Sequence, residues 1–242
     1  MQQEIKIGQL DCTVIGPYSH TEKPGLVVLL CHGFGAPGTD LVPLAEEVRK
    51  AANLPKSKVT FIFPAAPLAL ESFGGFDGRA WWMINMQKLA DMTGARDFSE
   101  LRSSVPPGII EARELLNETL DEIFHTTSLS WDRLIIGGFS QGAMLTTDTV
   151  LHSDHNPLAL IQMSGTLICE HQWRNQIQDH HGLLVLQSHG TIDPVLPFEA
   201  AEWLRDLFKE NGCHVDFEEF QGVHTIPMSI LEKLCTLIQK NC

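Results

Sequence analysis

Ser140 stands in the run Gly138-Phe139-Ser140-Gln141-Gly142, directly after the apolar stretch Leu134-Ile135-Ile136 and directly before a helix-forming segment. A serine between a buried strand and a helix must occupy a strained turn, and glycines two positions to either side let strand and helix pass closely. Such a turn lifts Oγ above the sheet edge and aims the backbone N–H of Gln141, at the helix start, at a developing oxyanion. Ser140 is therefore read as a nucleophile. At neutral pH its hydroxyl needs a base within hydrogen-bond reach, and that base needs an orienting acid. Two later loops supply them: Asp193 in Gly190-Thr191-Ile192-Asp193-Pro194, and His224 in Gly222-Val223-His224-Thr225. Both follow predicted strands directly, in the order nucleophile, acid, histidine that goes with a nucleophile turn of this type. His224 would take the Ser140 proton and pass it to the leaving group, while Asp193 holds the imidazole tautomer and stabilises its cation.

Other residues have plainer readings. His32 and His189 each adjoin a glycine at a strand end and should brace loop backbone, whereas His152, His155, His180 and His181 flank polar helix ends or loops where solvated imidazoles belong. Neither His152-Ser153-Asp154-His155 nor the His180-His181 pair has the second-ligand spacing of a zinc helix or finger, so no metal is expected. Ser164 lacks a glycine on its amino side and reads as a structural turn; Asp148 and Asp154 read as surface charges. The glycine-rich segment Gly33 to Gly38 contains no phosphate-binding motif, which leaves an oxyanion loop as its use.

These residues need a scaffold. Leu26 to Cys31, Val59 to Phe63, Leu134 to Ile136, Leu158 to Met163, Gly182 to Gln187 and Val215 to Phe220 read as strands alternating with helices, the pattern of a mostly parallel, doubly wound sheet whose ligands lie at the strand carboxyl ends. Ile5 to Leu10 and Cys12 to Ile15 predict an antiparallel opening hairpin around Gly8 to Asp11, and Asp40 is the expected cap of the first helix. Leu68 to about Pro107 reads as a long irregular insertion rich in aromatic and methionine side chains, a cap over the nucleophile. Phe73, Trp81, Trp82, Met83 and Met86 in it are expected to line the substrate site.

The bulk properties narrow the partners. Residues 1–242 suit one α/β domain, with 68–107 as its insertion, and a formal net charge of −13 disfavours nucleic acid and anionic membrane. Glu4, Lys6 and Asp11 interrupt any signal-like apolar core, no run is long enough for stable membrane insertion, and six scattered cysteines fit reduced thiols, so a cytoplasmic monomer or homodimer is expected.

Together, GFSQG at 138–142, HGFG at 32–35, HGTIDPVLP at 189–197 and GVH at 222–224 resemble the phospholipase/carboxylesterase family of α/β-hydrolases, which includes acyl-protein thioesterases and bacterial carboxylesterases. The resemblance covers nearly the whole chain and implies the α/β-hydrolase fold and cofactor-free hydrolysis of a small-molecule carboxylic ester or thioester. It implies Phe34, after His32-Gly33, and Gln141 as the residues whose N–H groups form the oxyanion hole. The chain departs from the family's usual HGLGD, with HGFGA, and from its GHxI-like segment, with VHTIP. An esterase of small to medium acyl groups, working through an acyl-enzyme, is the leading expectation. A thioesterase or lysophospholipase on the same residues is the alternative, and a silent ligand-binding module the third, disfavoured by the intact nucleophile, acid and base.

Overall fold

A computed structural model describes residues 2–53, 55, 58–73, 78–95 and 97–242, without the side chains of 73 and 93. The opening hairpin pairs β1 (Gln2–Ile7) with β2 (Leu10–Ile15), turning at Gly8, whose φ of 58° suits its lack of a Cβ. The elements that follow are β3 (Leu26–Cys31), α1 (Val42–Ala51) and β4 (Val59–Pro64). Next comes a two-residue pair, β5 (Leu68–Ala69) with β6 (Arg79–Ala80), and then three helices, α2 (Met86–Ala95), α3 (Ser99–Ser103) and α4 (Ile109–Thr127). The remainder alternates as β7 (Leu134–Phe139), α5 (Gln141–Leu151), β8 (Ala159–Met163), α6 (Glu170–Gln176), β9 (Leu184–Gly190), α7 (Phe198–Glu210), β10 (His214–Phe220) and α8 (Met228–Asn241).

Eight strands form one sheet in the order β1-β2-β4-β3-β7-β8-β9-β10, parallel from β4 to β10 with β2 antiparallel to β4. This is the mostly parallel α/β-hydrolase sheet expected from the alternation of elements. β3 shows why a uniformly apolar run marks its centre. Val27, Leu29 and Cys31 face the core under α4 to α7, while Leu26, Val28 and Leu30 face the core under α1 and α8. From β3 the chain builds outward through β4 on one side and through β7 to β10 on the other. Cys31 pairs with Gly138 where these directions part, so the loops leaving β3 and β7 open the crevice at the switch point.

Two expectations are corrected here. The segment 68–107 is not irregular: it contains β5, β6, α2 and α3. Its helices are not legible in the sequence because α2 carries Gly94 and α3 is only five residues long, so neither repeats an apolar face for enough turns to stand out. The first helix is preceded by Leu41, with no side-chain cap, and not by Asp40.

Candidate active site

The geometry of Ser140 follows from β7 ending against α5. Its φ of 54° and ψ of −119° are outside the regions that an L-residue adopts freely, and its amide is held by the Met163 carbonyl at 2.9 Å. A Cβ on Gly138 or on Gly142 would collide with the Cys31 carbonyl, so the crossing of β7 and α5 over the end of β3 requires glycine at both positions. The side chain emerges at the carboxyl edge of the sheet, and the residue is 9% exposed.

Asp193 and His224 come from the loops after β9 and β10 and meet there: His224 Nδ1–H donates to Asp193 Oδ2 at 2.6 Å. The other carboxylate oxygen accepts from the amides of Val195 at 2.8 Å and Leu196 at 3.0 Å. Burial would raise the Asp193 carboxyl, but the hydrogen bond and charge of His224, with the Leu196 and Val195 amides, outweigh it and hold the group below the ordinary carboxylate value. Because Nδ1 is the donor, a neutral His224 keeps its free lone pair on Nε2. The imidazole packs on Phe139, the residue before Ser140, with ring centroids 4.7 Å apart. Among the described residues Ser140 Oγ has no hydrogen-bond partner.

Two loop contacts fix this arrangement, and neither partner across the gap is announced by the local sequence. Gly190 lets the acid loop lie against the histidine loop, since a Cβ there would strike the Gly222 carbonyl. The Ser164 hydroxyl donates to the Thr225 carbonyl at 3.1 Å, so the turn after β8 holds the chain just beyond His224. His189 braces as expected: its Nε2 lies 3.0 Å from the Leu196 carbonyl and 3.4 Å from Asp193 Oδ2. His32 does likewise, accepting the Ala66 amide at 2.9 Å on Nε2.

The amides of Phe34 and Gln141 lie on the loop after β3 and at the start of α5, and among the described residues neither has a hydrogen-bond acceptor. That leaves both free for a ligand oxygen. The Gln141 side chain, fully buried, accepts the Trp81 amide at 3.0 Å and donates to the Trp82 carbonyl at 2.8 Å.

The predicted substrate-lining residues divide. Trp81 is buried in the core, its indole N–H bonded to the His32 carbonyl at 2.9 Å, so it is committed to backbone and not to the expected lining. Trp82 is also buried, yet with the exposed Met83 it walls an apolar cavity of about 330 Å³ that includes Leu89, Met92, Met144 and Ile168. Met86 is exposed and lies outside that wall, and the Phe73 side chain lies outside the described residues. Leu196, beside the Asp193 loop, and Met144, one turn into α5, bring the cavity to the site. On the other side of α3 a wider cavity of about 820 Å³ reaches Thr191 and Asp193 between walls that mix charged Arg102 and Glu199 with aromatic Phe198 and Trp203.

Asp148 and His180 contradict their expected exposure. Asp148 is fully buried, paired with Arg113 at 2.9 Å and accepting the Trp173 indole N–H at 2.8 Å, because α5 is enclosed on every side. His180 is buried between Asn156 and the Leu151 carbonyl.

The sheet order and the strained serine turn define an α/β-hydrolase. Within that class residues 12–242 match the phospholipase/carboxylesterase family, to which the chain belongs. Its curated relatives include the acyl-protein thioesterase 1 of Yarrowia lipolytica, 28% identical over 224 residues, covering 88% of this chain and 91% of that protein. The acyl-protein thioesterase 1 of Eremothecium gossypii is 29% identical over 219 residues, 88% of this chain and 86% of that protein. Among solved structures, esterase PE8 superposes with a TM-score of 0.75 at 26% identity, covering 95% of this chain and 99% of that one. A carboxylesterase from Mesorhizobium loti shares the fold at a TM-score of 0.71 and 18% identity, over 97% of each chain. Among the described residues no helix is long and apolar enough to cross a membrane.

Proposed function

We propose that the protein is a serine hydrolase that cleaves carboxylic esters of small to medium acyl groups through an acyl-enzyme. The observation that carries this reading is the 2.6 Å bond between His224 and Asp193 at the same sheet edge as a strained serine with two unpartnered amides beside it. In the first step Ser140 Oγ attacks the ester carbonyl carbon while its proton passes to His224 Nε2. The carbonyl oxygen takes the electron pair and is held by the Phe34 and Gln141 amides. The imidazolium then protonates the leaving alkoxide as the C–O bond breaks, leaving the acyl group on Ser140. Water, deprotonated by the same nitrogen, attacks the acyl carbon, and collapse of the second tetrahedral adduct frees the acid and restores the hydroxyl. The Ser140–His224 hydrogen bond is the one that must form as substrate enters, since catalytic hydrogen bonds tighten in the Michaelis complex.

The apolar cavity suits an acyl chain, with the space of mixed charged and aromatic lining beyond α3 left to the alcohol side. A thioester follows the same steps with a thiolate leaving group, and the names of the acyl-protein thioesterase relatives favour testing it beside the ester. Labelling by a fluorophosphonate, followed by turnover of paired oxygen and thioester substrates, tests the reading. Ser140→Ala should abolish labelling and lower kcat at least about a thousandfold. Comparable turnover in folded Ser140→Ala would overturn the assignment of the nucleophile.

A further inference from the structure

Two amides that stabilise one oxyanion must keep a fixed separation, yet here they belong to segments far apart in the chain. Among the described residues no hydrogen bond joins the loop 33–36 directly to residues 140–142. The segment 79–82 runs between them and bonds to both. On the loop side, the Gly35 amide donates to the Arg79 carbonyl at 2.8 Å and the Arg79 amide to the Ala36 carbonyl at 2.9 Å. The Trp81 indole N–H donates to the His32 carbonyl at 2.9 Å, so Phe34 is pinned from both flanks. On the helix side, the Gln141 side chain clasps the Trp81 amide at 3.0 Å and the Trp82 carbonyl at 2.8 Å.

We propose that Trp81, with the Gln141 side chain, is a positioning element of the oxyanion hole, holding the Phe34 and Gln141 amides in register for one oxygen. This rests on the serine-hydrolase reading above and adds to it a reason for the buried tryptophan. Space filling alone does not account for the pattern: a core side chain needs bulk, whereas here an indole N–H and a carboxamide, both buried, address the backbone on the two sides of the hole. Displacing a preorganised donor by about an ångström weakens it most in the transition state, where charge on the oxygen is greatest. Ground-state binding, carried by the acyl cavity, is little affected.

The test is Trp81→Phe, which keeps an aromatic ring and removes the indole N–H. The expected result is a kcat lowered about ten- to a hundredfold with KM within about twofold. A trifluoromethyl ketone of matching acyl length adds to the serine as an oxyanion, and its Ki should rise by the same factor as kcat/KM falls. A role in packing alone would lower the melting temperature or raise KM without that match. Should Trp81→Phe fail to fold, Gln141→Met, which removes both side-chain bonds to the segment, carries the same comparison. Wild-type kcat and ketone Ki in a folded variant would overturn the inference. A wild-type protein that is not labelled by fluorophosphonate would instead overturn the serine-hydrolase reading beneath it.

Discussion

Asp193 and Asp148 are both buried carboxylates within hydrogen-bond reach of an imidazole or an indole, and their partners separate them. Asp193 faces His224 at 2.6 Å and His189 at 3.4 Å through one oxygen, while amides fill the other, so its charge orients the imidazole that packs on Phe139, the residue before Ser140. Asp148 ties α4 to α5 and α6 through Arg113 and Trp173. Opposite outcomes are expected. Asp193→Asn should stay folded and lose about ten-thousandfold in kcat, since an amide presents the wrong tautomer of the base. Asp148→Asn should leave kcat per folded molecule nearly unchanged and cost about 3 kcal/mol in urea unfolding, because Arg113 loses its buried counter-charge. Reversed results would exchange their roles. Ser140, Asp193 and His224 stand out in the sequence as candidates because glycines and strand ends surround them, whereas the burial of Asp148 does not. Its neighbours Thr146, Thr147 and Thr149 make that turn of α5 look solvent-facing, and only the enclosure of the whole helix by sheet and neighbouring helices hides it.

At the scale of elements, the segment from β5 to α3 does two jobs that its composition does not separate. Its first part, 79–82, is sewn into the core, and its later part roofs the apolar cavity. The roof is anchored by Arg102, which bonds both oxygens of Glu170 on α6 and lies over the Trp203 ring on α7 at 5.0 Å, and by the Cys169 amide on the Ser104 carbonyl at 3.0 Å. These contacts join residues more than about sixty positions apart, so no local pattern announces them. The alternating strands and helices, by contrast, declare the sheet through local apolar runs alone. If the cavity takes the acyl chain, each added methylene should raise kcat/KM about fourfold, from roughly 0.8 kcal/mol of burial, until the space is filled. Ile168, on its wall, is the place to shorten it: Ile168→Phe should move the optimum to a shorter chain while leaving acetate-ester turnover close to wild type. The same optimum in both proteins would take the cavity out of substrate selection. Trp82→Ala is a poorer probe, because a buried tryptophan of this core costs about 3–5 kcal/mol to remove.

For the molecule as a whole, buried groups kept uncharged at both ends of the pH scale set the range of stability. Burial pushes the His32, His180 and His189 imidazoles below their ordinary value of 6.5. For His32 the hydrogen bonds explain why: Nε2 accepts the Ala66 amide at 2.9 Å and cannot take a proton without losing it. The unfolded chain therefore binds more protons than the folded one once the pH drops below about 6.5, and stability falls with pH from there toward the lower folded values. Carboxylates held low, such as Asp193 and Glu170, add their own loss only near and below pH 4, so the histidine slope stands apart from acid denaturation. On the alkaline side, burial pushes the Cys12 and Cys169 thiols up to about 12 and Cys213 to about 11, from 9.0. Above pH 9 the unfolded chain releases protons that the folded one keeps, and stability falls as pH rises. Each group contributes at most about 1.4 kcal/mol per pH unit. Urea unfolding should give a plateau between roughly pH 6.5 and 9 with a decline on each side, and Cys213→Ala should make the alkaline decline shallower by that thiol's share, leaving the share of Cys12 and Cys169, without touching the acid one. Constant stability from pH 5 to 10 would mean that these side chains reach water in the folded state, contrary to the enclosure of both faces of the sheet.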